Sequence, residues 1–208
     1  MPDQATLLTY LAILLGFVFI PGPAVLLTLA RATSAGTRVG LATGLGIAVG
    51  DLIHTGMLVV GISALVLASA FLFTLVKYLG AAYLVYLGIR AIVEKSAALL
   101  PASGLRVTPG AAFRQAVIAE VLNPKSALFF LAFLPQFVRP ENGAIELQLI
   151  ILGALFVLLG LLSTVAVALC AGRVGAFLRR SPTILRWQGK FVGGIYCILG
   201  VRLALQDK

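Results

Sequence analysis

Charge is what this sequence has least of. Only 11% of its 208 residues are Asp, Glu, Lys or Arg, where a soluble domain carries about 25%. That supply cannot cover a water-facing surface, so a soluble globular fold is excluded. Acidic residues are scarcest, seven against sixteen basic ones. The resulting +9 balance invites a nucleic-acid reading. In a membrane chain, however, Lys and Arg collect on cytoplasmic loops, and no nucleic-acid partner is expected. Histidine occurs once. Cysteine occurs twice, as Cys170 and Cys197, each alone in an apolar stretch and with no CxxC pair. Neither a metal site nor a local redox motif is supported; no cofactor and no enzyme chemistry are expected. Polar stretches are all too short for an extramembrane domain.

A cleavable leader is not expected either. Ala30-Arg31-Ala32 resembles a cleavage site, but the residues before it include Asp3 and no Lys or Arg. The apolar run also exceeds the 7–15 residues of a leader's hydrophobic region. We read a retained transmembrane helix.

What is abundant is apolar: 61% of the chain, with a mean hydropathy of +1.09. A transmembrane helix needs about 20 such residues. Six segments qualify, at roughly 6–30, 41–67, 69–92, 112–137, 146–171 and 189–206. The expected fold is an all-α integral membrane protein of six transmembrane helices in one transmembrane domain over 1–208. Ser69 and Ala70 mark a tight turn between the second and third segments. Ser96, Pro101, Ser103, Gly104 and Pro109 mark a loop after the third. The basic residues set the orientation. Arg31 and Arg38 lie in the first linker, Lys95 and Arg106 in the third, and Arg173, Arg179, Arg180 and Arg186 in the fifth. The second linker is uncharged; the fourth has Arg139 against Glu141 and Glu146. Odd-numbered linkers are therefore expected in the cytoplasm and both termini outside.

Two stretches repeat. KYLGAAYLVYLGIR, Lys77 to Arg90, matches KFVGGIYCILGVR, Lys190 to Arg202, with one residue deleted. Lys, Gly, Tyr, Gly and Arg stay in register. The copies fall in the third and sixth segments, so the repeat holds three spans, about 1–95 and about 110–208. Three is odd, so the second copy is inverted, an arrangement typical of secondary transporters. The first and fourth segments should then correspond, and both are broken at proline: Pro21-Gly22-Pro23 in one, Asn123-Pro124-Lys125 in the other. Proline inside a helix frees the carbonyl four residues earlier and costs about 3 kcal/mol. Paired interruptions of this kind point to a transporter binding site. A new half-helix starting at each break carries partial positive charge at its N-terminus, and Lys125 adds a full one.

Polar residues within the spans complete the candidate site. Asp51 and His54 lie three apart in the second span and share a helix face. An intramembrane carboxylate is a functional candidate by default. Glu120 precedes Pro124 by one turn, on the face of Asn123. Asp51 and Glu120 are the proton-coupling candidates. Tyr83 and Tyr196 hold matching repeat positions and are candidate cavity residues. Asp51 pairing with Lys125 or Lys77, and His54 bonding a backbone carbonyl, are the structural alternatives. Lys77, Lys190 and Arg202 lie near span ends as anchors that snorkel. The glycines of the second span form two ridges, Gly40 with Gly44 and Gly46 with Gly50, suited to close helix packing.

Taken in order, these features resemble the LysE/RhtB family of the lysine-exporter superfamily. The match rests on PGP in the first span, Gly50-Asp51, the stretch from Lys77 to Gly88, Asn123-Pro124-Lys125, Phe129-Phe130 and Leu134-Pro135-Gln136-Phe137. The resemblance implies export of amino acids or derivatives of the homoserine, threonine and neutral type, driven by the ion gradient. Glu120 stands where the family more often has a neutral polar residue such as Asn, which would favour an amine-bearing group. The partners expected are an amino-acid substrate, protons and the lipid bilayer, with a homo-oligomer left open. The substrate carboxylate would meet Pro23 and Lys125, and its amine Asp51 or Glu120. Two rival readings are a transmembrane thiol-redox carrier using Cys170 and Cys197, and a passive channel.

Overall fold

A computed structural model describes residues 3–19, 22–68, 70–93 and 107–173, with positions 190, 194, 197, 198, 200, 201, 204 and 205. Among the described residues the chain is all-helical, with no strand.

The first helix, α1 (Gln4–Phe19), is capped by Asp3. Its carboxylate accepts from the Thr6 amide at 2.8 Å and the Thr6 hydroxyl at 2.7 Å. These bonds hold Asp3 below its ordinary carboxylate range. After a short break, α2 (Pro23–Ala35) runs off at 45° to α1. Gly36 ends it with φ +95°, a left-handed conformation that glycine adopts without a Cβ penalty. The chain turns there directly into α3 (Thr37–Ala68).

Helix α3 is the centre of the fold and packs against α2, α5 and α7. Its two glycine ridges do what the spacing predicts. Gly40 and Gly44 meet Ala168 and Thr164 of α7, while Gly46 and Gly50 meet Ala116 and Glu120 of α5. A Cβ on Gly50 would lie 2.6 Å from the Cβ of Glu120, so glycine sets how closely α3 and α5 approach. Helix α4 (Ala70–Val93) comes next. It adjoins the last segment, where a Cβ on Gly200 would lie 2.8 Å from the Ala81 carbonyl oxygen.

Helix α5 (Pro109–Val121) is capped by Thr108, whose hydroxyl oxygen accepts from the Ala111 amide at 3.3 Å. It ends at the second break. There α6 (Pro124–Leu128) starts, widens into a π-helical turn over Phe129–Phe133, and tightens into a 3₁₀ turn over Leu134–Phe137. The segment Lys125–Phe137 is bent 52° from α5. The loop beyond it is clamped by Gln148, fully buried, whose side chain holds the Arg139 amide at 3.0 Å and its carbonyl at 2.8 Å. Helix α7 (Ile145–Leu169) then runs back.

Four of the six expected spans have a counterpart that passes a length-and-apolarity test for crossing a membrane. Thr37–Gly61 of α3 and the whole of α7 each pass it alone. The bent pairs α1–α2 and α5–α6 each pass it taken together. The third candidate segment is occupied by α4. The sixth lies mostly outside the described residues, with its described positions helical. Leu52, Val60, Leu158, Leu162 and Leu169 project apolar side chains outward, as lipid-facing residues do. Asn142 reaches Asp3 at 3.3 Å, and Arg31 reaches Gln115 at 2.8 Å. The N-terminus thus shares one end of the bundle with the fourth linker, while Gln115, midway along α5, adjoins Arg31 of α2.

Candidate translocation site between the two helix breaks

The prolines do not sit where a continuous helix would make them costly. Pro23 and Pro124 each occupy the first position of a new helix. That position has no intrahelical partner for an N–H, so proline is tolerated there. Pro21 lies outside the described residues.

At the first break, Gly22 precedes α2 in extended conformation, and among the described residues no side chain caps the helix. The first-turn amides are therefore left to the space in front of them. Behind the break, Ser163 of α7 donates to the Val18 carbonyl at 3.4 Å.

At the second break, Pro124 cannot donate to the Glu120 carbonyl. That oxygen instead accepts from the Asn123 amide and from His54 Nε2, both at 3.0 Å. Asn123 uses its side-chain oxygen to cap the Lys125 amide at 3.0 Å. Its Nδ2 donates to Glu120 Oε1 at 3.1 Å, Glu120 Oε2 at 3.3 Å and Ser126 Oγ at 3.1 Å. The Ser126 hydroxyl donates to Glu120 Oε1. The Glu120 carboxyl is held from several sides.

The two breaks meet in one cavity. Gly22, Pro23, Asp51, Glu120, Asn123 and Lys125 line it, with Phe17, Phe156 and Gly160 among its walls. Lys125 crosses from the second break to the first. Its Nζ lies 4.1 Å above the centre of the Phe17 ring, a cation–π contact, and would be 2.6 Å from a Cβ on Gly22. Asp51 of α3 adjoins Glu120. It is 3% exposed, and its Oδ1 has no hydrogen-bond partner among the described residues. A buried polar oxygen left so costs about 1–3 kcal/mol, more if charged. The cavity volume, about 50 Å³, suits a few water molecules at about 10–15 Å³ each.

Of the residues singled out from sequence, six line this cavity. His54 does not. It is buried, stacks on Phe130 with ring centres 5.5 Å apart, and ties α3 to the freed Glu120 carbonyl. Its contacts are those of the structural alternative. Pro124 acts through the backbone, as the first residue of α6. Tyr83 is half-buried on α4 against Tyr86, with ring centres 5.7 Å apart, away from the cavity. Tyr196 lies outside the described residues, as does the structure of Arg202. Ser126, Ser163, Gly160, Phe17 and Phe156 line the cavity without any motif to announce them. The two serines carry a usable signal, as polar residues in apolar spans; the others read as ordinary apolar or small residues.

Interrupted helices meeting at a pocket lined by charged side chains, within an apolar bundle, are a feature of secondary membrane transporters. The chain belongs to the LysE type translocator family, whose model matches residues 15–207. It is 32% identical to an uncharacterized membrane protein of Vibrio cholerae serotype O1, over 95% of each chain. It is 34% identical to the leucine efflux protein of Salmonella typhimurium, over 65% of this chain and 66% of the relative. With the homoserine/homoserine lactone efflux protein of the same organism the identity is 29%, over 88% of each. No solved structure matches it.

Proposed function

We propose that this protein exports zwitterionic amino acids or close derivatives across the bacterial inner membrane by exchange for protons. The observation that carries this reading is the unpartnered Asp51 oxygen in the same cavity as the Lys125 ammonium. An acceptor wanting a cation stands beside a cation and an uncapped helix N-terminus. That is the charge pattern of an amino acid in reverse. The substrate carboxylate lies toward Lys125 and the first turn of α2; its ammonium lies toward Asp51. Glu120, already held by Asn123 and Ser126, completes the acidic side. The relatives named for leucine, homoserine and homoserine lactone efflux support an amine as the shared substrate group.

Asp51 holds either a proton or the substrate ammonium, which couples their movements in opposite directions. The proton arrives from outside and leaves to the cytoplasm when substrate binds there. A cavity of about 50 Å³ is too small for an amino acid, so the helices around it must part toward each side in turn. Rocking of two inverted three-helix halves supplies that motion. The contact between the N-terminus and the fourth linker supports their lying on one side of the membrane, and the basic residues of the other linkers put that side outside.

The test is efflux of labelled L-leucine and L-homoserine from proteoliposomes under an imposed pH gradient. Wild type should move at least one uphill, and Asp51→Asn should lose gradient-driven efflux by roughly 100-fold or more, about 2.7 kcal/mol. Unchanged efflux and pH dependence in Asp51→Asn would overturn the reading.

A further inference from the structure

A second cavity, about 220 Å³ in volume, opens near the N-terminal end of α1. Thr6 and Thr9 of α1 face Phe133, Gln136, Phe137 and Arg139 across it. Thr9 lies eight residues before Phe17, about 12 Å along the helix. The two cavities therefore succeed one another along α1.

Aromatic rings run between them without a gap. Phe17, a wall of the central cavity, packs on Phe129 at 4.5 Å between ring centres. Phe129 packs on Phe133 at 5.0 Å, and Phe133 on Phe137 at 5.1 Å. Phe133 and Phe137 are walls of the second cavity. Tyr10 closes on Phe137 at 5.1 Å and is anchored by its hydroxyl to the Leu152 carbonyl at 2.8 Å. The column offers a charged substrate no polar partner, so it blocks passage while its rings stay in contact. Phe129 and Phe133 stand at the two ends of the π-helical turn. Such turns are rare and gather at functional sites. Closing one to α geometry rotates the downstream residues by about one position, about 100°.

The second cavity has the chemistry to receive what passes. Arg139 supplies a guanidinium, a permanent charge shaped to grip a carboxylate at two points. Its backbone is fixed on both sides by the buried Gln148. The Thr6 and Thr9 hydroxyls donate to Asp3 and to the Ala5 carbonyl, which leaves their oxygens to accept from an amine.

We propose that the second cavity is a release site for the amino acid, with Arg139 holding its carboxylate, and that the aromatic column is the gate before it. This rests on the reading of the central cavity as a zwitterion site. The tests keep the two apart. Binding of L-leucine and L-homoserine to the purified full chain in detergent micelles is followed by saturation-transfer NMR. Binding of one probe should persist in Asp51→Asn, fall about tenfold in Asp51→Asn/Arg139→Gln, and return only in part in Asp51→Asn/Arg139→Lys, which keeps the charge but not the two-point grip. No binding in Asp51→Asn, or equal binding with and without Arg139, overturns the release site whether or not the wild type exports. In proteoliposomes, Arg139→Gln should weaken inhibition by external probe about tenfold, with internal KM unchanged. Phe133→Ala should leak probe downhill without a pH gradient, while Phe133→Leu, which keeps most of the bulk, should not. A tight Phe133→Ala vesicle overturns the gate. Wild-type protein that binds through Arg139 but does not export removes the transport reading and the release role with it, and leaves a carboxylate-binding site at Arg139.

Discussion

At the first break, α2 begins at Pro23 behind a glycine, and its first-turn amides meet the cavity without a side-chain cap. At the second, Asn123 covers the Lys125 amide and gathers Glu120 and Ser126 around itself. Both breaks use proline at the first helical position, yet they supply different things. One supplies backbone polarity, the other side chains. Lys125 joins them, because it is rooted in the second break and ends against the first. A lysine is tolerated at the N-terminus of α6 because its own amide is satisfied by Asn123 and its ammonium lies over the Phe17 ring, in the cavity it shares with Asp51 and Glu120.

The largest effect expected from disturbing this division is at Lys125. Lys125→Met removes the cavity's ammonium and should lower leucine efflux by about 10–100-fold, the worth of a charged hydrogen bond of about 1.5–3 kcal/mol. Homoserine lactone, which has no free carboxylate, should lose less. Equal losses for both, measured side by side in proteoliposomes, would break the assignment of the carboxylate to the first break.

Next comes the packing that carries the second break. Gly50→Ala places a Cβ 2.6 Å from that of Glu120. It should cost about 1–3 kcal/mol by overpacking, read as a lower melting temperature of the detergent-solubilised protein. An unshifted melt would mean that α3 and α5 are not in such close register. Asn123→Ala should cost about 1 kcal/mol through the lost cap, and Asn123→Asp should not restore the melt, because it keeps the cap but sets a second carboxyl against Glu120 where an amide donated. At the first break the corresponding change is gentler. Gly22→Ala meets only the flexible end of Lys125, so KM should rise a few-fold with the melt unchanged. A melt lowered as far as that of Asn123→Ala would erase the contrast between the breaks. Smallest of all is the change at the cysteines. Cys170 is exposed at the end of α7, and the Cys197 thiol faces the Val85 carbonyl at 3.8 Å. Replacing both with Ala should leave efflux intact; a loss would revive the thiol-carrier reading.

Much of the fold was legible because membrane insertion depends on local composition. Runs of apolar residues, the two proline breaks and the glycine ridges of α3 are all properties of neighbours along the chain. The site was legible only in part. Asp51, Glu120 and Lys125 stood out as charges in apolar surroundings, and all three line the cavity. His54 also stood out, but it meets the carbonyl that Pro124 frees on α5 and does not line the cavity. The aromatic column was not visible at all. Phenylalanine in an apolar span is ordinary, and only the rotation of α1, the π-helical turn and α7 about their axes brings Phe17, Phe129 and Phe156 together.

The sequence by itself determined that this chain is apolar and helical, where its helices break, and which few charges lie within them. Those properties come from hydration and from the missing N–H of proline, which act over one turn of helix. Only the tertiary structure decided that Lys125 reaches Gly22, that Glu120 is bound while Asp51 Oδ1 is not, and that a wall of rings separates two cavities. Those depend on helix rotation and separation, which are set by packing between residues far apart in the chain.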